Sequence, residues 1–183
     1  MQEQIAKDID KSIRKTIFPS LKENGFAKVK GRNAWGWHDD CIWVFNIRPV
    51  GKEHSMVTSW PEVSLTVYLG IYYTYLPHIR DAKMGENGLL YPKENECNRR
   101  SQINCSYDQF KYTEFADCNI SEKKRRDIWW IEPDGSNLCE VVNDINNGFL
   151  NYAVKWFKEK SNKELTMQEA KRLNGFFFED IEG

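Results

Sequence analysis

Three kinds of catalytic or cofactor motif are missing from this sequence. Neither G-x-x-x-x-G-K nor G-x-G-x-x-G occurs, so the usual glycine-rich phosphate cradles are excluded, and no G-x-S-x-G sets a serine on a nucleophile elbow. The five cysteines (Cys41, Cys97, Cys105, Cys118 and Cys139) contain no C-x-x-C pair, which argues against a zinc knuckle or a disulfide framework. Reduced thiols are expected, with Cys41 and Cys139 half-buried as small hydrophobes. Histidine is scarce, at three residues. His38-Asp39-Asp40-Cys41 gathers potential metal ligands, but neighbours at a strand end point alternately to opposite sides, so the run reads as a polar hairpin turn. No metal and no cofactor are expected.

Long apolar runs are lacking too. No stretch approaches the roughly 20 apolar residues of a membrane helix. The first turns of the chain mix charges with isoleucines and do not resemble a secretory signal. A cytoplasmic protein with no membrane partner is expected. Charge of one sign is absent as well: Lys and Arg number 26 against 27 Asp and Glu, a net charge of −1. That balance excludes a protein-wide attraction to nucleic acid.

Aromatic side chains are plentiful, with seven Trp, eight Tyr and ten Phe. The stretch from Glu62 to Leu76 organises the rest. Val63, Leu65, Val67, Leu69, Ile71, Tyr73 and Tyr75 alternate with Ser64, Thr66, Tyr68, Gly70, Tyr72 and Thr74. A period of two predicts a central strand with one apolar face and one mostly hydroxylated face. Cys41 to Arg48 predicts a second strand, and Phe26–Lys30 and Ala34–His38 a shorter pair. Ile128–Ile131 reads as a brief apolar strand, and residues 49–61 as a loop.

Ile5, Ile9, Ile13, Ile17 and Leu21 recur every fourth residue, the mark of an amphipathic helix. Pro19 is expected to kink or end its last turn, and Asn24-Gly25-Phe26 to stop it. Leu138, Val141, Val142, Ile145, Phe149, Ala153 and Trp156 predict a second long helix, weakened near Gly148. Thr166-Met167-Gln168-Glu169 reads as a capping box opening a short last helix. The expected fold is a single α+β domain over residues 1–183, an antiparallel β-sheet with helices packed on one face. Residues 77–98 form a polar excursion, read either as a mobile flap or as a poorly ordered loop. The aromatic and acidic tail, 176–183, either docks on the body or offers a handle for homo-oligomerisation.

Several of these segments resemble one family. Gly25-Phe26-Ala27-Lys28-Val29-Lys30-Gly31-Arg32-Asn33, Trp43-Val44-Phe45-Asn46-Ile47, Val63 to Gly70, and Asp127-Ile128-Trp129-Trp130 are similar, in that order, to segments of the bacterial domain of unknown function 4304. Cys97-Asn98-Arg99-Arg100-Ser101-Gln102-Ile103 resembles that family's basic segment, with Gln102 where a second arginine is expected. The resemblance implies the fold and a bacterial origin, and carries no activity with it.

Candidate binding residues follow from chemistry. Arg48, Tyr68 and Tyr72 share the even face of the central strands, with Arg100 beside them; Arg and Tyr give large contact area and directed donors. The same face is alternatively covered by the flap. Lys123-Lys124-Arg125-Arg126 next to Trp129 and Trp130 suits a nucleic-acid backbone with a stacked base, against a solvated turn and core strand. Arg99 and Arg100 beside Cys97 suggest a lowered thiol pKa, against an ordinary thiol. The leading expectation is a non-enzymatic protein-binding domain, of immunity or antitoxin type, whose partner is another protein. The alternative is an enzyme or nucleic-acid-binding module with an anion pocket at Arg100.

Overall fold

The computed structural model describes residues 2–78, 80–114, 119–172 and 179–180. It opens with helix α1, Gln2–Glu23, whose stripe of Ile5, Ile9, Ile13, Ile17 and Leu21 is buried throughout. Pro19 does not end this helix; the chain continues helically through it to Glu23. Gly25, at φ +95°, then turns the chain, and the Phe26 amide donates back to the Leu21 carbonyl over 3.0 Å. Phe26 thereby drops into the core, edge-on to Phe45, Phe149 and Phe157.

Strands β1 (Lys28–Lys30), β2 (Asn33–Trp37), β3 (Cys41–Pro49) and β4 (Leu65–Tyr73) follow as an antiparallel series. Between β3 and β4 lies helix α2, Gly51–Thr58, where the sequence predicts only a loop. Its Met56 and Val57 are exposed, so no apolar period announced it. Residues 77–98 carry a hairpin, β5 (Lys83–Met84) with β6 (Leu90–Tyr91), and a 3₁₀ turn at Glu94–Glu96. Strand β7, Arg99–Gln102, joins the sheet beside β4, and β8, Glu179–Asp180, runs parallel along β7. The sheet order is β1-β2-β3-β4-β7-β8.

Short helices α3 (Phe110–Thr113) and α4 (Ile120–Lys123) precede the long helical run: α5 (Leu138–Gly148), a π-helical turn Phe149–Ala153, and α6 (Val154–Lys160). The π turn begins directly after Gly148, where a side chain would run into Ile103. Helix α7, Lys163–Arg172, begins earlier than the predicted capping box. Asn162 caps it by accepting from the Leu165 amide at 3.0 Å, and Thr166 sits buried inside it. Ile128–Ile131 contributes a single bridge, Leu65 with Trp129, and no strand. A strand there is refused because Gln109, Asn137 and Ser64 take its backbone groups by side-chain hydrogen bonds.

The fold is therefore α+β, with one central sheet. The odd residues of β3 and β4 pack under α1 and the α5–α6 run in one continuous core. Among the described residues, no helix is long and apolar enough to cross a membrane. Most of the 176–183 tail lies outside the described residues.

Candidate functional site

The even face of the sheet is divided in two by residues 77–98. One half is roofed by them. Trp35, Ile42, Val44 and Tyr72 pack against Ala82 and Cys97, with Leu90, Tyr91 and Trp37 at the edge. Trp35 Nε1 donates to the Pro92 carbonyl at 2.8 Å and Trp37 Nε1 to the Leu90 carbonyl at 2.9 Å, so two indoles hold the roof down. Asn98 ties its two ends together, donating to the Pro77 carbonyl at 2.7 Å and accepting from the Tyr73 amide at 3.0 Å. The segment thus forms a second packing layer over half the face.

The other half is not packed under residues 77–98: among the described residues, Asn33, Arg48, Tyr68 and Gln102 there are half-buried and Asn46 is buried. The register aligns Lys30 with Asn33, Asn33 with Asn46, Asn46 with Tyr68, and Tyr68 with Gln102 in one row across the strands. Arg48 and Thr66 form the next row. No even-face residue of β1–β4 or β7 is acidic.

Glu94 stands on the boundary between the two halves. Its side chain has no exposed surface, whereas Arg48 is 43% and Arg100 32% exposed. Arg48 Nη2 donates to Glu94 Oε2 at 3.0 Å, and Arg100 Nε donates to Glu94 Oε1. Arg48 Nε also donates to Asn46 Oδ1 at 2.5 Å, and Asn46 donates to Asn33 Oδ1 at 2.7 Å. The guanidinium carbon of Arg48 lies 5.0 Å over the Tyr68 ring, within cation–π range. One carboxylate thus accepts from two arginines and fixes their orientation, with Asn46 holding Arg48 from a second side.

Arg48, Tyr68 and Arg100 are thus brought together as the sequence suggests. Tyr72 is not among them: it lies under the roof, stacked on His78 with ring centroids 3.7 Å apart. Trp129 and Trp130 are enclosed elsewhere. Trp129 Nε1 donates to Asp144 at 2.8 Å in the main core, and Trp130 packs on Trp60 in a separate cluster. The basic run 123–126 is largely occupied: Arg125 pairs with Glu122 and Asp127, and Arg126 donates to the Cys105 and Ser106 carbonyls.

Cys97 fits the ordinary-thiol reading and not the lowered pKa. Its thiol is pushed well up, first by complete burial and then by the Glu94 carboxylate, against the pull of Arg100. Cys139 is exposed rather than half-buried, while Cys41 is buried. No group of His, Cys, Asp and Glu suited to a metal ion occurs among the described residues.

Sequence reasoning missed Glu94, Asn46 and Asn33. Asn46 was legible, two residues before Arg48 on the same strand face. Glu94 gave no signal, because an irregular segment carries no period.

Arginine keeps its charge at any physiological pH, and its fixed fork of N–H donors suits hydrogen-bond acceptors. Comparison of the chain with family models, with curated proteins and with solved structures finds no match. The family resemblance therefore rests on the residues quoted above.

Proposed function

We propose that this is a binding protein that recognises an acidic surface on another protein through the open half of its sheet. The observation that carries the reading is the enclosed Glu94 carboxylate, divided between two half-exposed arginines. Orienting Arg48 and Arg100 before contact reduces the ordering cost that a flexible arginine meets on binding. Tyr68 beneath Arg48 adds a rigid aromatic, half-buried Gln102 beside it adds an amide donor and acceptor, and buried Asn46 holds Arg48 and Asn33 in place. A polar, cationic patch on a chain of net charge −1 favours a carboxylate-rich partner face. An immunity or antitoxin role, in which the partner is a toxin, is the instance of this reading to test first.

The test is affinity capture with the intact protein, comparing wild type with the double variant R48A/Y68A. Hot-spot truncations of this kind cost about 2 kcal/mol or more each, so the captured partner should be lost from the variant, which circular dichroism at the capture temperature should show still folded. Equal capture by both proteins contradicts the reading. So does capture of nucleic acid with a steep loss on adding salt, the mark of phosphate-backbone binding.

A further inference from the structure

We infer that the groove between strand β1 and the β5–β6 hairpin takes an extended acidic segment of the partner, continuing the open face; this rests on the reading of that face as an acid-recognising surface. The groove encloses about 900 Å³ and is lined by Lys28, Lys30, Lys83, Glu86, Met84 and Tyr91 among others. Its charged lining is three lysines against one glutamate, a balance of +2. Those lysines come from two elements far apart in the chain, brought together only by the fold.

Lys28 and Lys30 project on the even face of β1, and Lys30 begins the row that runs through Asn33 and Asn46 to Tyr68. Groove and open face are therefore one surface. Strand β1 is the first in the sheet order, and among the described residues only β2 pairs with it. Its outer backbone groups have no ladder partner among the described residues, which is the feature that accepts an added strand. The same sheet already accepts a short parallel addition at its opposite edge, where β8 lies along β7. Tyr91, edge-on to both Trp35 and Trp37, fixes the hairpin wall, and Met84, 62% exposed, supplies an apolar contact on it. An extended chain with carboxylates at alternate positions matches lysines spaced two apart on a strand.

The probe is a pool of fluorescein-labelled dodecapeptides with glutamate at every second position and mixed residues between, set against a pool with lysine in its place. Fluorescence polarisation with the full chain should show binding of the glutamate pool alone. The triple variant K28A/K30A/K83A should weaken it by about tenfold or more, the scale of a few lost contacts at a hot spot. Lys83→Glu, on the exposed hairpin, should weaken it too, with unchanged melting. No binding of the glutamate pool, binding that the triple variant leaves intact, or equal binding of a single-stranded oligonucleotide overturns the inference. Loss in R48A/Y68A with retention in the lysine variant sinks the groove and keeps the open-face reading. Loss in the lysine variant with retention in R48A/Y68A places the peptide in the groove alone and overturns the open-face reading, and with it the single continuous surface.

Discussion

A Cβ placed on Gly70 would stand 2.5 Å from the Sγ of Cys97, closer than two such atoms can come. The bare backbone of β4 at this point lets the Glu94–Glu96 turn lie directly on the sheet, and so sets Glu94 between Arg48 and Arg100. Gly70→Ala should therefore act as an overpacking substitution, destabilising by about 1–3 kcal/mol. Urea unfolding measures the loss, and hydrogen exchange should show residues 90–98 loosened ahead of the rest of the protein.

Glu94→Gln keeps the shape of the side chain and removes its charge. The amide oxygen can still accept from one arginine, but the amide NH2 only donates and would face the other arginine's N–H, so one of the two hydrogen bonds is lost along with the charge between the arginines. A cost of about 1.5–3 kcal/mol is expected, the range for hydrogen bonds to charged groups. Arg48→Ala should cost less, because Arg48 is partly solvated and Glu94 keeps Arg100. Chemical denaturation of both variants tests the order; a larger loss in Arg48→Ala contradicts it.

The sheet and its helical side were legible because their burial is periodic. Ile5 to Leu21 and Leu65 to Tyr73 face one core, and a repeat of four or of two states that on its own. The other side was legible only in part. The odd–even alternation placed Arg48 and Tyr68 on one face, but the covering of Tyr72 depends on contacts with Ala82 and His78, distant in sequence and without a pattern. Helix α2 and the position of Glu94 escaped for the same reason. Trp129 and Trp130 were read as candidate binding residues from their exposed-looking neighbours, whereas Asp144 and Trp60 receive them inside the protein.

The roof is held by indole donors. Trp35→Phe with Trp37→Phe removes both hydrogen bonds to the Pro92 and Leu90 carbonyls, each worth about 1 kcal/mol. Cys97, buried beneath, is a reporter. In the wild type an alkylating reagent at neutral pH should label the exposed Cys139 and spare Cys97. In the double variant Cys97 labelling should rise before global unfolding. Unchanged protection means that the indoles do not hold the cover.

Alkaline pH should destabilise the protein before tyrosines ionise. Burial raises the thiols of Cys41, Cys97 and Cys105, the last to about 12. In the unfolded chain these thiols ionise at about 8.5. Above that pH the unfolded state sheds protons that the folded state keeps, so unfolding becomes easier as pH rises, by about 1.4 kcal/mol per unit for each thiol. Below it these groups contribute no slope. Urea midpoints across this range should fall, and Cys105→Ala should flatten the fall by one thiol's share; a flat profile in the wild type contradicts the burial.

The most direct test of the recognition surface is site-specific photocrosslinking. A photoreactive phenylalanine analogue at position 68, on the open half of the sheet, is compared with the same analogue at position 155, exposed on α6. The account predicts crosslinks from position 68 to an acidic protein, absent from position 155 and abolished by Arg48→Ala. Crosslinks from position 155 alone, or from 68 regardless of Arg48, would contradict it.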